Sequence, residues 1–249
     1  MKIVNFAHGA FLTLGAYAGL VAGQLGLAPW FGLPLAFLIG ALCGALVEWL
    51  VVRPLYVRPL DAILATWGLG IIIGQLLTLG FGREVQFVAA PLRGTVDILG
   101  MPYSAYRLFL VLAALVVGGG FALLLGGTRL GLATRAVIMN EDLARGLGID
   151  AGWVRFATYS LGSGLAGLAG ALITPLSSVD PDMGVPWLLN AFMLVMVSGA
   201  SLASLLAASV LLGGAQVVIS SWANPVLGSL SIVVLAALLL RVRPGGLAR

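Results

Sequence analysis

One cysteine, one histidine and one lysine stand among 249 residues, and each scarcity closes off a chemistry. A lone Cys43 permits no internal disulfide, and with His8 the only imidazole no cluster of histidine and cysteine ligands can hold a metal. A phosphate loop of the form GxxxxGKS or GxxxxGKT needs a lysine near a helix start. The only lysine is Lys2, so no such loop can be built. Charge is scarce as well: 9% of residues are charged and 61% apolar, where an average soluble domain has about 25% and about 45–50%. With a mean hydropathy of +1.11, lipid is the expected solvent. The pI of 9.7 does not point to nucleic acid, because the arginines are scattered at the ends of apolar runs and form no basic stripe with interleaved aromatics. The chain is not expected to be an enzyme.

What is there in quantity is apolar run. A bilayer core takes roughly 20 helical residues to cross, and runs of about that length cover 10–26, 31–52, 62–82, 107–126 and 153–175. A further apolar region from Trp187 to Leu240 is too long for one helix. Breaks at Ser198–Ser201 and Ser220–Pro225 divide it into one short and two longer pieces, with a single kinked crossing as the alternative. The expected fold is all-α, a polytopic transmembrane helical bundle of about 7 to 8 segments, one membrane domain over 1–249 with no soluble domain. Lys2 and the first run mimic a secretory signal, but the spans continue beyond it, so cleavage is not expected.

Positive residues are retained on the cytoplasmic side of short loops. Arg53 and Arg58 mark one such turn, Arg129, Arg135 and Arg145 a second, and Arg241, Arg243 and Arg249 place the C-terminus inside. Alternation then puts 83–106 and 176–186 outside. Arg83, Arg93 and Arg107 run against the rule in the first of these loops; Asp180 and Asp182 agree with it in the second.

The 35 glycines allow close approach of membrane helices. Gly162, Ala166 and Gly170 recur every fourth residue, widened by Gly164 and Gly167, and suit either helix packing or a surface that lines a pore; Gly213 and Gly214 allow the same two readings. Ionisable groups at membrane depth face a cavity or a partner. Glu48 either pairs with Arg53 or faces a solute. His8 either packs or, with Gly9 beside it breaking the helix, offers polar groups to a small solute. Thr66 and Trp67 can offer a hydroxyl and an indole donor, although a tryptophan near a span end is often an interfacial anchor.

The cytoplasmic loop 127–152 carries its own helix signal. Asn140 is an N-cap, Glu141 and Asp142 suit the positive first turn, Glu141 reaches Arg145 at i,i+4, and Gly146 or Gly148 ends the helix. Leu143 and Leu147 share a face that suits the groove of a cytosolic partner or the membrane surface.

The opening Val4-Asn5-Phe6-Ala7-His8-Gly9, the stretch Arg53-Pro54-Leu55 with Arg58-Pro59-Leu60-Asp61 and Ala65-Thr66-Trp67-Gly68, the loop from Thr134-Arg135-Ala136 to Gly148-Ile149, and the tail Arg243-Pro244-Gly245-Gly246-Leu247 together resemble permease subunits of bacterial ABC importers for branched-chain amino acids and for urea or short amides. The resemblance covers nearly the whole chain. It implies an inner-membrane permease that pairs with a sister permease, two cytosolic ATPases carrying ATP and magnesium, and a periplasmic solute-binding protein, with no cofactor on this chain. It makes 134–148 the coupling segment, with Arg135, Asn140, Glu141, Asp142, Arg145 and Gly148 meeting the ATPase; His8, Gly9, Thr66 and Trp67, by their polar groups at membrane depth, are the expected solute path.

Within that family, Arg58–Asp61, Ala65–Gly68 and Val179-Asp180-Pro181-Asp182-Met183-Gly184 look closer to the urea type. Ala10 stands where a glutamate usually follows His-Gly, and Trp49 where an arginine usually follows the glutamate; both changes remove polarity. The family also has a hydrophobic segment ahead of Asn5, so an incomplete product or a missing peripheral helix is expected. The rival expectations are a stand-alone channel or ion-coupled carrier, disfavoured by the scarcity of intramembrane carboxylates, and a membrane subunit with no transport of its own.

Overall fold

The computed structural model describes residues 5–98, 100–199, 201–243 and 245–247. Lys2, Val4, Pro244 and Arg249 lie outside the described residues. The chain falls into two compact units, Met1–Gly184 and Val185–Arg249.

Among the described residues six helices are long and apolar enough to cross a membrane: Pro29–Leu55, Pro59–Phe81, Ala105–Gly127, Ala151–Leu176, Leu202–Trp222 and Pro225–Val242. The expected seven to eight segments also include α1 (His8–Gln24, 17 residues), at the lower limit of a crossing length, and α8 (Gly184–Ser198, 15 residues), short of it.

The first unit is built on close approach of three helices, α1, α2 (Gly32–Val47) and α7 (Ala151–Ile173). Glycines make that approach possible. A Cβ on Gly40 would lie 2.6 Å from the Ser163 carbonyl oxygen, and a Cβ on Gly164 would lie 2.9 Å from the Phe37 ring. One on Gly15 would overlap the Gly167 carbonyl, and one on Gly170 the Leu12 carbonyl. The stripe Gly164, Gly167 and Gly170 is therefore helix packing in this structure, while Gly162 faces His8. Gly213 and Gly214 have open space.

The second apolar run does not end as an α-helix. Pro54 has no N–H and its ring crowds the carbonyl four residues back, so the ladder shifts: the Arg53 N–H reaches Glu48 O in a π-helical turn, Glu48–Val52, followed by a 3-10 turn at Arg53–Leu55. Then α3 (Pro59–Phe81) starts on Pro59, a residue preorganised for a first helical turn, and stops at Gly82, φ +81°.

The loop 83–106 departs from the all-α expectation. Thr95–Ile98 (β1) and Met101–Ser104 (β2) pair antiparallel across Gly100, φ +80°, ahead of α4 (Ala105–Gly127). Gln86 bridges Val179, which brings 83–106 and 176–184 to one end of the unit.

The loop 127–152 holds two helices where one was expected. In α5 (Arg129–Met139), Thr128 Oγ1 caps the Gly131 N–H at 3.2 Å, and Gly131, Thr134 and Val137 share a buried face. In α6 (Glu141–Gly146), Asn140 Oδ1 accepts from the Leu143 N–H at 3.0 Å and Arg145 pairs with Glu141 at 2.7 Å. Gly148, φ +82°, follows in the left-handed region that glycine favours, and Asp150 then caps α7 through the Trp153 N–H.

In the second unit, α9 (Leu202–Trp222) and α10 (Pro225–Val242) pack with Val197 around Leu212 and Ile232. The tail folds back, with the Leu247 N–H donating to Val197 O at 2.8 Å. Gly246, φ +74°, fits there because a Cβ would lie 2.7 Å from that carbonyl.

Candidate functional site

Asn5 opens the site. Its Oδ1 accepts from the Ala7 N–H at 3.0 Å, which turns the amide so that Nδ2 donates twice, to His8 Nδ1 at 2.6 Å and to Tyr159 Oη at 2.7 Å. A His8 Nδ1 that accepts leaves the ring proton on Nε2, and Nε2 points toward Gly162. The half-buried imidazole packs edge-on against Phe11 and Tyr159. His8 therefore has one nitrogen committed to the fold and one N–H donor beside a residue with no side chain.

Thr66 and Trp67 meet the same segment from α3. Thr66 is fully buried; its Oγ1 accepts from the Phe6 N–H at 3.3 Å and donates to Ile63 O at 3.0 Å. Both roles of the hydroxyl are used, so Thr66 positions the opening segment rather than presenting a free hydroxyl. Trp67 packs edge-on against Phe6 with centroids 5.2 Å apart and is otherwise exposed. The structure thus brings His8, Gly9, Thr66 and Trp67 together around Asn5–Ala7.

The helix does not break at Gly9. Gly9 lies inside α1, and its carbonyl accepts from Thr13 Oγ1. Close approach here depends on Gly184, because a Cβ on Gly184 would overlap the Gly9 carbonyl, while the Gly184 N–H donates to Thr13 Oγ1 at 3.2 Å. The segment Val179–Gly184 runs from its bridge with Gln86 to this point one turn above His8. Gly74 of α3 has Pro181 O and Asp182 Oδ1 beside it.

Glu48 does not pair with Arg53. It is 1% exposed, and Tyr56 Oη donates to its Oε1, because the π-helical and 3-10 turns swing Tyr56 back over the carboxylate while Arg53 stays exposed. Burial, then the Glu48 carboxylate, raise the Tyr56 hydroxyl above its ordinary pKa. The Arg155 guanidinium sits 4.4 Å from the Tyr56 ring centroid.

At α6, Leu143 and Leu147 are both largely exposed, and Arg135, Asp142, Arg145 and Gly148 are each exposed as well. Glu141 is the exception. It turns inward to an ion pair with Arg155 of α7 as well as with Arg145. Sequence reasoning missed Tyr56, Arg155 and Tyr159, none of which is marked by spacing. Asn5, quoted only as part of a motif, proves to be the centre of the hydrogen-bond cluster.

A family model described as branched-chain amino acid transport system / permease component matches residues 1–242. A probable branched-chain amino acid transport permease from Methanocaldococcus jannaschii is 29% identical over 80% of this chain and 65% of its own. A ribose import permease from Haemophilus influenzae is 28% identical over 81% and 64%, and a fructose import permease from Bifidobacterium longum 30% identical over 81% and 58%. The chain thus spans somewhat under two thirds of the length of these relatives. No solved structure matches it.

Proposed function

Since the chain belongs to the family of branched-chain amino acid transport system permease components, a family of multi-pass membrane proteins, we propose that it is a translocating subunit of an ATP-driven importer whose solute is a branched-chain amino acid. The observation that carries the proposal is the family match over nearly the whole chain, and the relative named for branched-chain amino acids supports the solute.

In this reading the chain lies in the inner membrane with its C-terminus cytoplasmic, as Arg241 and Arg243 favour. It pairs with a sister permease, two cytosolic ATPases that hold ATP and magnesium, and a periplasmic binding protein. The exposed Leu143 and Leu147 of α6 enter a groove on an ATPase, with Arg135, Asn140, Asp142, Arg145 and Gly148 around them. Closure of the ATPases moves α6 and switches the permease pair between outward and inward access. The His8 Nε2–H and the Trp67 indole N–H donate to the solute's carboxylate as it passes. Thr66 and Gly9 hold the segment that carries them.

A sugar is the second reading, favoured by the relatives named for ribose and fructose import. Urea or a short amide rests on the motifs at 58–61, 65–68 and 179–184, and no relative named above supports it. The test is uptake into vesicles that hold the chain with its ATPase, sister permease and binding protein, offering labelled leucine, ribose, fructose and urea in turn. ATP-dependent uptake of leucine alone is expected. Uptake of a sugar or of urea instead replaces the solute, and uptake with no ATPase present overturns the importer reading in favour of a stand-alone channel or carrier.

A further inference from the structure

Glu141, at the head of α6, gives one carboxylate oxygen to Arg145 and the other to Arg155 on α7. The Arg155 guanidinium in turn lies over the face of Tyr56, 4.4 Å from its centroid. Tyr56 Oη donates to Glu48 Oε1, and Glu48 opens the π-helical turn that ends the second apolar run. The other oxygen, Oε2, is buried and takes no hydrogen bond from any described residue. Tyr56 is therefore the one hydrogen-bonding anchor of this carboxylate among the described residues.

Every link in this line is charged or has a charged member, and shielding from water deepens along it. The Glu141 side chain is 29% exposed, Arg155 14% and Glu48 1%, so salt screens the inner links little. The segment at the far end is also one that can rearrange. A π-helical turn is an uncommon ladder, frequent at functional positions, and Pro54 bars its conversion into continuous α-helix. The turn Glu48–Leu55 must choose among discrete backbone ladders, and a carboxylate held at a single point biases that choice.

We infer that Arg155 is a positioning residue that transmits the position of α6 to the π-helical turn Glu48–Val52, so that a force on α6 resets the Arg53 end of the second apolar helix. Its use in transport rests on the importer reading above; the linkage within the chain does not.

Amide hydrogen exchange on the purified full chain tests the linkage. Glu141→Gln weakens the tie to Arg155 while touching nothing in 48–56, and exchange of the amides in 48–56 is expected to accelerate about fivefold. Glu84→Gln, an exposed substitution at the other end of the unit, leaves 48–56 as it was. Arg155→Lys keeps a cation for Glu141 but loses the flat guanidinium that stacks on Tyr56, so α6 stays protected while 48–56 accelerates. A pair that merely fastened α6 to α7 would give the opposite result, with 48–56 unmoved in Arg155→Lys. Unaltered exchange of 48–56 in either Glu141→Gln or Arg155→Lys overturns the inference.

A second measurement separates the linkage from its use. In vesicles holding the full importer, Arg155→Lys, which leaves the exposed face of α6 untouched, is expected to move several-fold less solute per ATP hydrolysed. An unaltered ratio beside altered exchange overturns the transport role of Arg155. Failure of any ATPase to bind, beside altered exchange, overturns the importer reading and leaves the linkage standing.

Discussion

Replacing Gly40 by alanine tests the helix packing that holds the site together. The added Cβ would lie 2.6 Å from Ser163 O and 3.3 Å from the Cα atoms of Gly164 and Gly167. The first distance is about 0.8 Å short of ordinary van der Waals contact. All three neighbours are backbone atoms of α7, so no side chain can swing away. Relief requires α2 and α7 to separate, which also loosens their packing around Phe37 and Ala36. Overpacking of this kind costs about 1–3 kcal/mol, and a contact with backbone belongs at the upper end. Alanine returns about 0.5–1 kcal/mol through its better helix propensity. The net expectation is a loss of about 2 kcal/mol, roughly thirtyfold in the folding equilibrium. Gly118→Ala, in α4 with open space around it, receives the propensity gain without the clash and should be neutral or slightly stabilising. Unfolding in mixed micelles, followed by helical circular dichroism, compares the two variants. Equal stability of Gly40→Ala and Gly118→Ala would refute the close-packed arrangement of α1, α2 and α7.

Asn140→Ala removes the cap of α6 and should cost about 1 kcal/mol, read as faster exchange of the Leu143 amide with little change elsewhere. Tyr106→Phe deletes the hydrogen bond from the buried Tyr106 hydroxyl to Leu172 O, 2.7 Å long, and should lower stability by about 1 kcal/mol without altering any transport selectivity. Replacing Glu141 and Arg145 together should reduce both transport and the stimulation of ATP hydrolysis while the binding protein keeps its affinity for solute; equal transport would refute the assignment of α6 as the coupling helix. His8→Ala removes the free Nε2–H donor and Thr66→Val removes the acceptor for the Phe6 N–H, so both should shift solute selectivity in competition uptake assays. Wild-type uptake of every solute by both variants removes these residues from the solute path.

The sequence by itself determined the solvent and most of the element boundaries. Apolar runs long enough to span hydrocarbon must form helices, since every backbone group there has to be satisfied within the chain. The expected breaks at Ser198–Ser201 and Ser220–Pro225 overlap the gaps between α8, α9 and α10, although α9 runs on to Trp222. The cap at Asn140, the Glu141–Arg145 pair and the left-handed Gly148 were legible too, because they act within one turn. The face Gly131–Thr134–Val137 of α5 was visible as a spacing of three but lay in a segment too polar to stand out among the spans.

Tertiary structure alone decided what the polar groups do. Glu48 has an arginine five residues away in sequence, yet it meets Tyr56, because Pro54 forces a change of ladder whose outcome no spacing rule fixes. Arg155 and Tyr159 sit on α7, about a hundred residues or more from the groups they touch on the opening segment and at the end of the second run, and only the close approach of α1, α2 and α7 through their glycines brings them there. Thr66 was a candidate donor to solute until burial and two hydrogen bonds committed its hydroxyl to the fold. Local chemistry is written along the chain, while partners across helices depend on how near two backbones can come.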